Sequence, residues 1–284
     1  MPLGTPLANF ETGVMFWAGR DPGATLSELK DLGIRCGQLG IPGDLDLSCA
    51  PAWKAALKAA DFAVYTVFAG YTGESYTDIP TVQDTVGFIP ARYRAEREAR
   101  TRGISDFARE IGCHGIGLHV GCLPEDDSDS DYITVREMVR RIADHAAKNG
   151  QTFALETGQE NADALRSFLI DVNRENVGIN FDPANMILYG TGDPIEALSV
   201  LGQHILSVHC KDGDWPPAGV PGALGTEKAL GTGSVGIERY LRKLKQIGYK
   251  GPLTIEREAE NAAERLRDIR SAIALLAQVK TSLG

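Results

Sequence analysis

The chain has no excess of positive charge, no cysteine pairing pattern and no long apolar run, and each absence removes a class of function. Its 284 residues carry 29 Lys and Arg against 38 Asp and Glu, a formal net charge of −9. A surface built to hold nucleic-acid phosphates needs a basic face, so no nucleic-acid partner is expected. The five cysteines (Cys36, Cys49, Cys113, Cys122 and Cys210) are odd in number, scattered, and include no C-x-x-C pair. That usage fits a reducing compartment and not a disulfide framework. No apolar stretch approaches the roughly 18 to 20 residues that span a bilayer. The segment from Met1 to Phe10 also lacks the basic-then-apolar order of a signal peptide. A cytoplasmic protein without a membrane partner is the expectation.

What is present is alternation. Strand-like segments at Gly13 to Trp17, Cys36 to Ile41, Phe62 to Phe68 and Gly115 to Val120 are each followed by a helical pattern. The first helix is expected from Thr25 to Leu32, with Thr25 as N-cap and Glu28 three residues on, the spacing of a capping box. Long loops are expected at Ala69 to Pro90 and Gly213 to Ser234, and loops of that size usually serve function. Eight strands and eight helical segments in strict alternation require parallel pairing with right-handed crossovers. About 250 residues for eight such units suits a closed (β/α)8 barrel better than an open doubly wound sheet. An open sheet would also carry a phosphate-binding glycine fingerprint after its first strand, and Trp17-Ala-Gly-Arg-Asp-Pro-Gly23 has its glycines at the wrong spacing. The α/β chain is therefore read as a single TIM-barrel domain over residues 1–284.

Four later runs end on residues that metals favour: Thr152-Phe-Ala-Leu-Glu156, Val177-Gly-Ile-Asn-Phe-Asp182, Ile205-Leu-Ser-Val-His209 and Pro252-Leu-Thr-Ile-Glu256. As strands five to eight of a barrel they would deliver Glu156, Asp182, His209 and Glu256 to one carboxyl edge, where barrel active sites lie. Three carboxylates and one imidazole suit Mn²⁺, Mg²⁺, Co²⁺ or Zn²⁺, and a cation would relieve their mutual repulsion. Taken singly, Glu156 or Glu256 could be a surface residue, Asp182 a turn former before Pro183, and His209 a core histidine. Four such coincidences on consecutive strands are a poorer account than one metal site.

The motifs Leu155-Glu-Thr-Gly158, Phe181-Asp-Pro-Ala-Asn185, Val208-His-Cys-Lys-Asp212 and Gly248-Tyr-Lys-Gly-Pro-Leu-Thr-Ile-Glu256 resemble the xylose isomerase-like TIM-barrel superfamily. Within it the resemblance is to the sugar phosphate isomerase/epimerase group, including D-tagatose 3-epimerase-like enzymes, and it covers essentially the whole chain. It implies one divalent metal, commonly Mn²⁺, on Glu156, Asp182, His209 and Glu256. It also implies that Glu156 and Glu256 act as an acid–base pair across a carbohydrate substrate, through a cis-enediolate. Relatives often pair through the barrel mouth, so a homo-oligomer, dimer or tetramer, is an open expectation.

Further substrate contacts are expected at His119, Asn185, Lys211, Gln38 and Trp17. Asn185 stands where D-tagatose 3-epimerase-like enzymes carry histidine, and it can hydrogen-bond a hydroxyl but not shuttle protons. His119 matches a metal histidine of the related AP endonucleases, but their strand-six histidine is Asn185 here, and Gly225-Thr-Glu227 stands where they carry Asp and His ligands before a Gly-x-Gly motif. His119 reads equally as a substrate contact or a buried structural residue. Lys211 shares a strand face with His209 and could hold an oxyanion or phosphate, or be a plain surface lysine. Gln38 is placed at the end of strand two as a neutral binding group. Trp17 either walls the sugar or fills the barrel top. Besides epimerisation or isomerisation, the residues allow a metal-dependent dehydratase or lyase on a keto-sugar, keto-glycoside or inosose, and a non-catalytic sugar-binding module.

Overall fold

The structure, a computed structural model, describes residues 10–283. Strands β1 (Thr12–Trp17), β2 (Cys36–Ile41), β3 (Ala63–Ala69), β4 (Gly115–Leu118), β5 (Thr152–Glu156), β6 (Val177–Phe181) and β7 (Ile205–Cys210) precede a short antiparallel hairpin. The hairpin pairs β8 (Asp212–Asp214) with β9 (Thr226–Lys228), and β10 (Leu253–Ile255) follows. The other eight strands close into a barrel in the order β1-β10-β7-β6-β5-β4-β3-β2, every adjacent pair parallel. The fold is thus the closed eight-stranded barrel that the alternation of segments implies.

Period-two alternation decides what each strand buries. Phe153 and Leu155 of β5, Ile179 and Phe181 of β6 and Val208 of β7 are fully buried in the apolar core. The alternate set, Glu156, Asn180, Ser207 and His209, is buried as well, yet polar. These side chains meet one another and Gln38 of β2, which is not a neighbour of β6 or β7 in the sheet, so their contacts cross the barrel interior. Helices Ala162–Val172, Pro194–Leu201, Ile237–Gln246 and Ala262–Leu283 come after β5, β6, β7 and β10 in turn.

Three details differ from the sequence reading. The first helix begins at Pro22, and its cap is Asp21, whose carboxylate accepts from the Ala24 amide at 3.1 Å. Thr25 instead turns its hydroxyl to the Asp21 carbonyl. The preference of Pro for the first helical turn makes Asp21-Pro22 the better start. Second, alternation is not strict. Helices at Ile79–Thr85 and Pro183–Tyr189 occupy strand-to-helix connections, and the second long loop contains the β8–β9 hairpin. Both helices are seven residues long, with Pro in the first turn and an Asp cap. Helix Pro183–Tyr189 is buried on most sides, so it carries no amphipathic period to read. Third, several element ends shift by one or two residues.

The hairpin owes its placement to Asp212, which is buried. Its Oδ1 accepts from the Gly213 and Val235 amides at 2.9 and 3.1 Å, and its Oδ2 from the Gly231 and Gly233 amides at 2.8 and 3.0 Å. One carboxylate therefore gathers the turn that ends the second long loop. Asp212→Ala leaves these donors without a partner and is expected to lower the unfolding free energy by about 3 kcal/mol, measured by urea denaturation.

Candidate metal centre

Glu156 ends β5, Asp182 follows β6, His209 lies near the end of β7 and Glu256 follows β10. One ligand atom from each lies within 4.8 Å of all the others. The imidazole Nδ1 of His209 is the common point, at 2.7 Å from Glu156 Oε1, 3.1 Å from Glu256 Oε2 and 3.4 Å from Asp182 Oδ2. Asp182 divides its two oxygens. Oδ1 caps the helix Pro183–Tyr189 through the Ala184 and Asn185 amides at 2.8 and 3.1 Å, leaving Oδ2 to face His209. Its backbone amide donates to Thr157 Oγ1 at 2.8 Å, and that hydroxyl donates back to the Asp182 carbonyl at 2.9 Å. Turn former and cluster member are the same residue.

Gln38 lies elsewhere than expected. It is mid-strand in β2, fully buried beneath the cluster, and both ends of its amide are occupied. His209 Nε2 donates to Gln38 Oε1 at 2.7 Å, and Gln38 Nε2 donates to Asn180 Oδ1 at 3.0 Å. Asn180 Oδ1 also accepts from Ser207 at 2.6 Å, while Asn180 Nδ2 donates to Glu156 Oε1 at 3.3 Å. The orientation of this chain is set at the Glu156 end, because a reversed Asn180 would set its carbonyl oxygen against a carboxylate. With Asn180 fixed, Gln38 must turn its oxygen to His209, which holds a proton on Nε2 and aims Nδ1 at three carboxylates. That arrangement needs a positive charge at Nδ1.

A second proton can supply it. Burial would lower the His209 pKa, but Glu256 and Glu156 outweigh burial and hold it well above the ordinary histidine value. A divalent cation meets the same demand, with an unprotonated Nδ1 and three carboxylate oxygens as donors and Gln38 as the outer partner that metal-ligating histidines characteristically have. The donor set fits a divalent ion of the Mg²⁺–Mn²⁺–Zn²⁺ range.

His119, just beyond β4, donates from Nε2 to Glu156 Oε2 at 2.8 Å and packs its ring against Tyr76. Burial would lower its pKa, but Glu156 raises it to about 9. In return His119 and His209 overcome the burial of Glu156 and keep its carboxyl well below the ordinary value. Lys211 is buried, not a surface lysine. Its Nζ lies 3.0 Å from Glu256 Oε2, 2.6 Å from Glu258 Oε2 and 3.8 Å from Asp182 Oδ2. Its charge is therefore already matched by protein carboxylates. Asn185 is buried but lines the cavity, and Trp17 is half exposed at the end of β1.

Above the cluster opens a cavity of about 1030 Å³ bordered by both long loops. The loops touch where the Ile79 amide donates to the Gly222 carbonyl at 3.0 Å. Lining residues that sequence reasoning missed include Tyr76, Glu74, Tyr189 and Glu258. Loop residues carry no periodic signal, but Glu258 could have been found. It lies two residues beyond Glu256, as Lys211 lies two beyond His209. Asn180 and Ser207 carry a similar signal, each two residues before a cluster member.

Fold and cluster together define a barrel with a carboxylate–histidine centre at the carboxyl ends of its strands. The chain belongs to the xylose isomerase-like TIM barrel family, which matches residues 26–279. It is 45% identical to a xylose isomerase domain protein from Planctomyces limnophilus, whose crystal structure superposes with a TM-score of 0.92 over 97% of this chain and 99% of that one. A D-psicose 3-epimerase structure shares the fold, with TM-score 0.68 and 16% identity over 95% of this chain and 99% of that one. An L-ribulose 3-epimerase from Methylomonas sp. is 29% identical over 155 residues, 51% of this chain and 48% of that protein. The chain spans about half the length of the curated relatives it matches, between 48% and 57%.

Two predictions follow from the buried polar groups. Gln38→Leu removes the acceptor for His209 Nε2 and is expected to weaken Mn²⁺ binding about 10- to 100-fold in a calorimetric titration. Glu160, four residues beyond Glu156, accepts from the Leu123 amide at 2.9 Å, while its Oε2 is buried without a partner. Burial pushes its carboxyl up to about 7 from an ordinary 4.5. Between those values the native state keeps the proton and the unfolded chain releases it, so stability falls as pH rises through this window. Glu160→Gln is expected to abolish a loss of about 3 kcal/mol between pH 4.5 and 7, read from urea midpoints.

Proposed function

We propose that the protein is a divalent-metal-dependent isomerase or epimerase of small carbohydrates, with Mn²⁺ as the preferred ion. In this reading it works as a single barrel domain in the cytoplasm. The observation that carries the reading is the meeting of Glu156, Asp182, His209 and Glu256 at the floor of an open cavity. The epimerases among its relatives and structural neighbours support the same class.

An ion bound at these four residues supplies Lewis acidity to a substrate carbonyl and its neighbouring hydroxyl, which acidifies the C–H beside the carbonyl. The protein supplies the proton transfers. Glu156 and Glu256 approach from different strands and are tied to different partners, His119 and Lys211. One removes the proton to give a cis-enediolate and the other returns a proton, to the opposite face in epimerisation or to the neighbouring carbon in isomerisation. His119 is held cationic beside Glu156, so it keeps that carboxylate ionised and oriented. Asn185, at the cavity wall, offers an amide to a substrate hydroxyl and takes no part in proton transfer.

The test is deuterium wash-in from D₂O over a panel of ketoses, keto-sugars and inososes with Mn²⁺, followed by NMR. Metal-dependent exchange at the carbon beside the carbonyl is expected, with an epimer or isomer as product. Glu256→Gln is expected to slow exchange by about 10²- to 10⁴-fold while the protein stays folded. Loss of water from the substrate in place of epimer formation would replace this reading with a dehydratase or lyase. Wild-type exchange in the Glu256→Gln variant would remove the two-glutamate mechanism.

A further inference from the structure

The cavity is lined in a way that a small sugar phosphate does not explain. Besides Glu156 and Glu256, the carboxylates of Glu74, Asp78, Glu227, Glu258 and Glu260 line it, Glu74 paired with Arg97 and Glu227 with Arg257, neither of which lines the cavity. Among the described lining residues the cationic groups are Lys211 and His119. Lys211 is held by Glu256 and Glu258, and His119 by Glu156. A phosphate, carrying about −1.5 to −2 charges at neutral pH, would enter a field of carboxylates with no uncommitted lining cation. Hydroxyl groups meet the opposite situation, since each carboxylate oxygen at the rim can accept from an O–H.

Trp17 supplies the second observation. It stands at the end of β1, on the side of the barrel away from β5 and β6. Its indole lies over two glycines at the ends of adjacent strands. A Cβ on Gly40 would come within 2.6 Å of Trp17 Cε3, and one on Gly70 within 3.0 Å of Cζ3. Side chains at those positions would push the ring off its seat. The glycines let it lie against the barrel rim, where it stays half exposed and lines the cavity. A fixed aromatic plane with one open side is a platform for the C–H face of a sugar ring or for another flat uncharged group. The cavity, about 1030 Å³, slightly exceeds the roughly 300–1,000 Å³ that holds drug-sized ligands, and its lining includes both Glu156 and Glu256 of the cluster and this platform.

We propose that Trp17, seated on Gly40 and Gly70, forms a distal subsite for a second uncharged ring, so that the substrate is a glycoside-sized neutral keto-sugar and not a sugar phosphate. This rests on the reading that the reacting sugar sits at the carboxylate–histidine centre. The hydroxyls of the distal ring face Glu258 and Glu260, and its C–H face rests on the indole.

The experiment measures equilibrium binding of unreactive probes to the Mn²⁺-loaded protein by calorimetry and ligand-observed NMR, so it does not depend on turnover. Its failure is separable from failure of the proposed chemistry, which deuterium exchange reads. Cellobiose is expected to bind at least about tenfold more tightly than D-glucose, and glucose 6-phosphate no more tightly than D-glucose. Trp17→Ala is expected to bring cellobiose to within about twofold of D-glucose with Mn²⁺ affinity unchanged, while Trp17→Phe retains most of the preference. Absence of a disaccharide preference in the wild-type protein, including no detectable binding of either sugar, overturns the proposal. So does tighter binding of the phosphate, or a preference that survives Trp17→Ala.

Discussion

The site depends on one imidazole nitrogen that faces three carboxylates. Nδ1 of His209 lies within 3.4 Å of Glu156, Asp182 and Glu256, in a setting with almost no solvent. Buried like charges of that density are unfavourable unless a positive charge stands among them. Lys211 reaches two of the oxygens that face Nδ1, Glu256 Oε2 at 3.0 Å and Asp182 Oδ2 at 3.8 Å, while His119 bonds the other oxygen of Glu156. The barrel places the four residues, and the surrounding hydrogen bonds decide which atoms they present.

Those bonds form a layer of their own. Gln38, Asn180 and Ser207 lie inside the barrel one level below the cluster, where most strand residues of matching parity would be expected to be apolar. Their amides and hydroxyl are satisfied by one another, by His209 and by Glu156. A fully bonded buried network of this kind holds side chains in one arrangement, and a partly bonded one is costly. The consequence at the mouth is a histidine whose Nε2 is fixed as a donor to Gln38, so that Nδ1 faces the three carboxylates.

Much of this was legible in the sequence, and the reasons differ by residue. Glu156, Asp182, His209 and Glu256 each close a run of strand-forming residues, and a parallel barrel brings the ends of consecutive strands to one edge. The barrel itself followed from alternation and length. The depth of Gln38 is not legible, because alternation gives the face of a strand residue and not its level in the barrel. Gln38 is the third residue of Cys36–Ile41, so it lies below the mouth and not at it. The sequence leaves Lys211 as either an anion contact or a surface lysine, because pairing across loops is invisible along the chain. Glu227 comes from a segment with no period, and only the fold brings it to Arg257 and brings Glu258, two residues beyond Glu256, to the lysine. The short helix after β6 is not legible in the sequence because it is buried on most sides and has no polar face to mark its turns.

The most direct test of the central claim is anomalous diffraction at the manganese edge from crystals of the protein grown with Mn²⁺. One peak per chain is expected between the carboxylates of Glu156, Asp182 and Glu256 and the Nδ1 atom of His209, with Gln38 still bonded to Nε2. A peak elsewhere, ligation through Nε2, or no peak at saturating Mn²⁺ would contradict the account.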